Sequence, residues 1–122
     1  MAGGPSPTDG VTQFITDLEE EGHKPTRCGD AVRYVVVPAA GRYAGQEVET
    51  AVSVSELQSW PTVPPHWIHL AEAVQFAHTN SDAQDCAPGW RRHSREAGPW
   101  AMTRKPILIW ISHVRGVLSL AV

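Results

Sequence analysis

Cysteine is scarce in this chain: Cys28 and Cys86 are the only two in 122 residues. A pair so widely separated makes no disulfide framework, and neither belongs to a C-x-x-C zinc pair. Long apolar runs are missing as well; none approaches the roughly 20 residues that a membrane-spanning helix needs. The opening Met1-Ala2-Gly3-Gly4-Pro5-Ser6-Pro7 has neither the basic start nor the apolar stretch of a signal peptide. There is no internal repeat or low-complexity tract, and no motif asks for a cofactor. The expectation is a reduced, cytoplasmic protein without a membrane span.

Charge of one sign is missing from part of the chain. Residues 1–60 carry nine acids against four bases, and residues 61–89 hold three acids and no base. Residues 90–122 reverse this, with Arg91, Arg92, Arg95, Arg104, Lys105 and Arg115 against Glu96 alone. Either the two parts attract one another across the fold, or the basic part forms a face for an acidic partner. Screened surface pairs need no function, which favours the first.

What is present begins with a Gly/Pro/Ser-rich tail, residues 1–8, expected to be disordered, followed by one domain over residues 9–122. Thr8 or Asp9 caps a helix in which Val11, Phe14, Ile15 and Leu18 recur at helical spacing, and Gly22 and Pro25 end it. Ala31–Val37 alternates as a strand, with Val32, Tyr34 and Val36 on one face and Arg33, Val35 and Val37 on the other. Glu47–Val54 alternates too: Val48, Thr50, Val52 and Val54 inward, Glu47, Glu49, Ala51 and Ser53 toward water. Trp67–Leu70 is a further short strand. Residues 71–106 contain so many turn formers that a long irregular loop is expected, anchored by Trp90 and Trp100. Ile107, Trp110, Ile111, Val114, Val117, Leu118 and Ala121 then mark a C-terminal helix, with Pro106 in its first turn. The fold class is α+β: an N-terminal helix, an antiparallel meander of about four strands, and a C-terminal helix laid on the sheet.

Two tryptophan-bearing segments stand out. In Trp60-Pro61-Thr62-Val63-Pro64-Pro65-His66-Trp67, three prolines fix φ and remove three donors, so the segment is a stiff, extended strap. In Trp90-Arg91-Arg92-His93-Ser94-Arg95, an indole is interleaved with guanidinium groups, which would suit an exposed positive patch for a partner. Base stacking on nucleic acid fits poorly, because the run is short and the chain acidic overall.

This order of helix, meander, proline strap of the form W/Y-P-x-x-P-P, irregular stretch and terminal helix resembles the ubiquitin-conjugating enzyme (UBC-like) superfamily. It is most similar to the compact prokaryotic branch, whose last third carries a Trp, a Ser-Arg run, a second Trp and a final helix, here Trp90, Ser94, Arg95 and Trp100. The resemblance implies a UBC-like domain of a bacterial conjugation pathway, partnered by a ubiquitin-like protein and its activating enzyme. It implies either a thioester carrier or a non-catalytic, partner-binding variant. Pro61, Pro64, Pro65, Trp90, Arg91, Arg92 and Arg95 would border the partner. His78-Thr79-Asn80 departs from the family's His-Pro-Asn by lacking the proline, and Cys86 follows it at a shorter interval.

Cys86 is the plausible nucleophile; Asn80 or loop N–H groups would serve the oxyanion, and Arg91, Arg92 and His93 would influence the thiol. Cys28 reads as a filler. A zinc site is not expected: His66 and His69, three residues apart on an extended segment, face opposite sides. A structural or interaction domain without ubiquitin-like chemistry is the alternative function.

Overall fold

The computed structural model describes residues 9–100 and 104–122, so the expected disordered tail, residues 1–8, lies outside the described residues. Helix α1 spans Gly10–Glu20, and the side chain of Asp9 caps it by accepting from the Thr12 N–H at 2.7 Å. Strands β1 (Thr26–Cys28), β2 (Ala31–Val36) and β3 (Val48–Ser53) follow, then a 3-10 turn over Val54–Leu57. Beyond the strap come β4 (Trp67–Ala71), β5 (Ser81–Asp82), β6 (Trp90–Ser94) and helix α2 (Pro106–Leu118). They build a small α+β domain around one antiparallel sheet in the order β1-β2-β3-β4-β6-β5. No helix among the described residues is long and apolar enough to cross a membrane.

The two helices cover one face of the sheet. Val32, Tyr34, Val36, Val52, Ile68 and Leu70 meet Phe14 and Leu18 of α1 and Trp110, Val114 and Leu118 of α2. The alternation expected for Ala31–Val36 appears strictly, buried at every second residue. At the centre, the Trp110 indole donates to the Tyr34 hydroxyl at 2.8 Å. Burial pushes the Tyr34 phenol well up, so it stays neutral and serves as that acceptor. Gly10 is buried where α1 meets the 3-10 turn; a Cβ there would collide with the Leu57 carbonyl, so only glycine permits this approach.

Three expectations need correction. The wet face of Glu47–Val54 is only partly wet: Ala51 and Ser53 are 3% and 5% exposed, because the chain after β4 folds back over them. Val54 leaves the strand to begin the 3-10 turn. The long loop also contains regular structure. β6 pairs antiparallel with β4 along its whole length, Trp67 opposite Ser94 through Ala71 opposite Trp90, and β5 pairs outside β6. The turn formers in 72–89 bring the chain back, and tertiary pairing overrides the weak strand propensity of an arginine-rich run.

The strap is non-helical but not extended throughout. Residues 58–62 form a turn, with the Val63 N–H donating to the Ser59 carbonyl at 3.0 Å and a cis peptide between Trp60 and Pro61. Only from Pro64 does the chain run straight into β4, with Pro65 buried. The Trp60 ring is 4% exposed and lies edge-on to Phe14 at 4.9 Å and to Trp100 at 5.7 Å. Its indole donates to Asp17 at 3.1 Å, while the Trp100 indole donates to the Pro61 carbonyl at 2.8 Å. Trp60→Ala is expected to cost about 3–5 kcal/mol through the cavity it leaves. The measurement is urea unfolding, where the midpoint should fall at an unchanged slope; an unmoved midpoint would remove this ring from the core.

Candidate functional site

Strand pairing builds the site on the sheet face away from the helices. The register lines up Arg33, Ala51, His69 and Arg92 across β2, β3, β4 and β6, with Asp82 of β5 completing the row. One position along each strand, Val32, Val52, Ile68 and His93 point the other way, into the core. Period-two alternation therefore decides which histidine can reach which cysteine.

Cys86 sits in the loop between β5 and β6, which folds over this row. The loop closes through short turns: the Cys86 N–H donates to Ala83 and the Trp90 N–H to Ala87, with Asp85 at φ 57° and Gly89 at φ 83°. Arg92 pins it from beneath. Its guanidinium donates to Asp82 at 2.7 Å, approaches Asp85 at 3.6 Å, and lies 4.0 Å above the Trp67 ring. The result places Cys86 Sγ 3.5 Å from His69 Nδ1.

His69 is 1% exposed, in the middle of β4. Its other ring nitrogen, Nε2, has no hydrogen-bond partner, and Glu56 Oε2, buried and likewise unpartnered, stands 3.8 Å away. That gap is too long for a hydrogen bond but close enough for the carboxylate to favour a proton on Nε2. Nδ1 is then left as an acceptor for the thiol. Glu56 is held by its first oxygen, which accepts from the backbone N–H groups of His66 and Trp67 at 2.9 and 3.0 Å. Thiol, imidazole and carboxylate thus stand in a chain of three. Burial pushes the Cys86 thiol up from its ordinary value, Arg92 pulls it down, and Asp82 and Asp85 raise it further. The resting group is therefore a protonated thiol beside a base, rather than a free thiolate.

A cleft of about 760 Å³ opens at this point, walled by Cys28, Asp30, Ala31, Ser53, Ser55, Asp85, Cys86 and Ala87. Cys28, expected ahead of the first strand, belongs to edge strand β1 and faces the same cleft.

The other expected site residues fall elsewhere. His93 is buried on the helix side, its Nδ1 3.0 Å from the Thr79 hydroxyl and its ring edge-on to Phe76, so it cannot share a face with His69 and Cys86. Asn80 is exposed just before β5, its carbonyl accepting from the Ser94 N–H; no hydrogen bond joins it to Cys86 among the described residues. The arginines of the expected positive patch divide between the two faces, Arg92 on the outer one and Arg91 and Arg95 on either side of His93 on the other. Arg91 turns to the core side and donates to Ser81, Arg92 is taken up by Asp82 and Asp85, and Arg95 lies over Phe76 and donates to the His78 carbonyl. Consecutive strand residues alternate faces, so a run of arginines in β6 had to be divided. Trp90 also departs from expectation: it is half-buried on the outer face under the Arg33 guanidinium at 4.9 Å, while Trp100 does pack on the core.

The sequence singled out Cys86 as a candidate, with nothing to join it to His69 and Glu56. A histidine set between Ile68 and Leu70 in a strand was the available signal, since a buried imidazole needs partners on the strand's other face. The partner glutamate, thirteen residues earlier and across the strap, left no such trace. Comparison of the chain with protein-family models, with curated proteins and with solved structures finds no match in any of the three.

His93 carries a pH consequence. Burial, then Arg95 and Arg91, push its pKa down to about 4. Between pH 6.5 and about 4 the unfolded chain takes up a proton that the folded one refuses, so stability falls as pH falls through that window. His93→Gln should flatten the dependence of the urea midpoint on pH there. It should not abolish it, because burial holds His113 down too. A slope as steep as in the unsubstituted protein would mean that His93 is protonated in the fold.

Proposed function

We propose that this protein is a bacterial ubiquitin-conjugating-like acyl carrier, accepting the C-terminal tail of a ubiquitin-like protein as a thioester on Cys86. The observation that carries this reading is the thiol of Cys86, 3.5 Å from a buried imidazole at the mouth of a cleft. Support also comes from the order of elements: a proline strap between the third and fourth strands, then a cysteine-bearing loop between the fifth and sixth. Small side chains at Ala31, Ser53 and Ala87 leave room for a narrow, extended tail. The work of the thiol requires a reducing compartment, so the proposed location is the cytoplasm.

In the loading step, Cys86 Sγ attacks the carbonyl carbon of the thioester on the activating enzyme. Its proton passes to His69 Nδ1, while Glu56 faces the Nε2–H that gains positive character. The carbon–sulfur bond to the activating enzyme breaks, and the leaving sulfur recovers the proton. Asn80, exposed and not hydrogen-bonded to Cys86, is not placed to serve the developing oxyanion.

The test supplies the chain with its activating enzyme, ubiquitin-like protein and ATP. A reducible adduct is expected, absent in Cys86→Ala and converted to a reduction-resistant ester in Cys86→Ser. His69→Gln should slow loading by about 10²–10⁴-fold. Asn80→Ala should leave the loading rate within about twofold, since the residue stands outside the three-group chain. Binding of both proteins without any adduct would identify a partner-binding variant instead. Loading that survives Cys86→Ala would move the chemistry off this site.

A further inference from the structure

The imidazole that would take the Cys86 proton during loading remains beside the sulfur afterwards. Once Cys86 is acylated, its sulfur has no proton to give, and His69 Nδ1 loses its partner 3.5 Å from the thioester. The orphaned acceptor then lies directly behind a sulfur that lines a cleft of about 760 Å³, far larger than the ~30 Å³ share of a water molecule. His69 Nε2 and Glu56 Oε2 are both buried and unpartnered, 3.8 Å apart, an arrangement that core packing alone leaves unexplained. We infer that Cys86, His69 and Glu56 form a hydrolytic triad that cleaves thioesters and activated esters by itself, without a second protein. This rests on the proposal that Cys86 is acylated, but not on any ubiquitin-like partner.

Each step balances. In acylation the Cys86 Sγ–carbon bond forms, the thiol proton moves to His69 Nδ1, and the bond to the leaving thiolate or alkoxide breaks as that group takes the proton. In deacylation a water molecule attacks the acyl carbon and gives a proton to His69 Nδ1. The carbon–Sγ bond breaks, Sγ recovers the proton, and the carboxylic acid departs. Glu56 is a positioning residue: it orients His69 and steadies the imidazolium, and touches neither the acyl group nor the water.

The cleft also selects. Asp30 and Asp85 line it, and no cationic side chain does so among the described residues; the nearby Arg92 is engaged by Asp82 and Asp85. Acyl groups ending in a cation should be preferred over those ending in a carboxylate.

The experiment uses the full chain and p-nitrophenyl acetate. Expected is one equivalent of rapid p-nitrophenol release followed by steady turnover, with an acid-quenched acetyl group located by mass spectrometry on the peptide containing Cys86. Cys86→Ala should lose both phases. His69→Gln should lower turnover by about 10²–10⁴-fold. Glu56→Gln, which keeps an oxygen for the His66 and Trp67 N–H groups, should lower it about tenfold and shift the pH profile of kcat. The p-nitrophenyl ester of 6-aminohexanoic acid should turn over faster than the monoester of adipic acid. The same urea midpoint for each variant would exclude unfolding, and the acetyl adduct on the unsubstituted chain decides the matter if a variant does not fold. A burst without turnover overturns the hydrolase and leaves the carrier standing. Turnover in a chain that never loads a ubiquitin-like protein sinks the carrier and leaves the hydrolase. Turnover that survives Cys86→Ala overturns the triad.

Discussion

One carboxylate ties the parts of this domain together. Glu56, in the 3-10 turn that follows β3, accepts from the first two N–H groups leading into β4. Those groups emerge from the proline strap and would otherwise have no partner at the entrance to the sheet. The bond fixes where β4 starts, and the start sets its register, Ala51 opposite His69 on one side and Arg92 on the other. A slip of one residue would send His69 into the core and Ile68 or Leu70 out of it. The Thr50 hydroxyl, donating to the His69 carbonyl at 3.0 Å, supports the same register where the β3–β4 ladder is thin. The turn that carries Glu56 is itself held against α1 by the close approach at Gly10.

From that register follows a division of labour between the faces of the sheet. The helix face holds the apolar core and, at its centre, the donor–acceptor pair of Trp110 and Tyr34. The opposite face holds a row of polar residues that is covered rather than solvated. Arg33 and Arg92 lie over Trp90 and Trp67, so these two tryptophans cap this face, while Trp60 and Trp100 serve the core. A thiol set into such a cover is neither fully exposed nor inert: burial raises it, and the imidazole beneath it offers a route for its proton.

The separation of acidic and basic residues along the chain resolves within the fold. Arg92 with Asp82 and Asp85, and Lys105 with Glu21, join the basic last third to the acidic remainder. Lys105 and Lys24 make their contacts in solvent, where pairs contribute little. Arg92 is different, because its side chain is 13% exposed and it ties β6 to Asp82 and Asp85, in the stretch that leads to Cys86. Charge here is used to position a loop.

Periodicity in the sequence determined the helices, the first two long strands, the α+β class and the anchoring of Trp60, because local apolar spacing reports which side of an element is buried. Cys86 stood out as the candidate nucleophile for a simpler reason: of two cysteines, it is the one in a polar loop. Neither β6 nor the partners of Cys86 were legible. An arginine-rich segment becomes a central strand only when β4 offers it a ladder, and that pairing spans the whole 72–89 loop. His69 lies seventeen residues before Cys86, and Glu56 thirteen before His69. No local pattern links such positions; strand register and loop closure bring them within a few ångströms. The same geometry separated His93 from Cys86 despite their nearness in sequence, since alternate residues of a strand face opposite sides of the sheet.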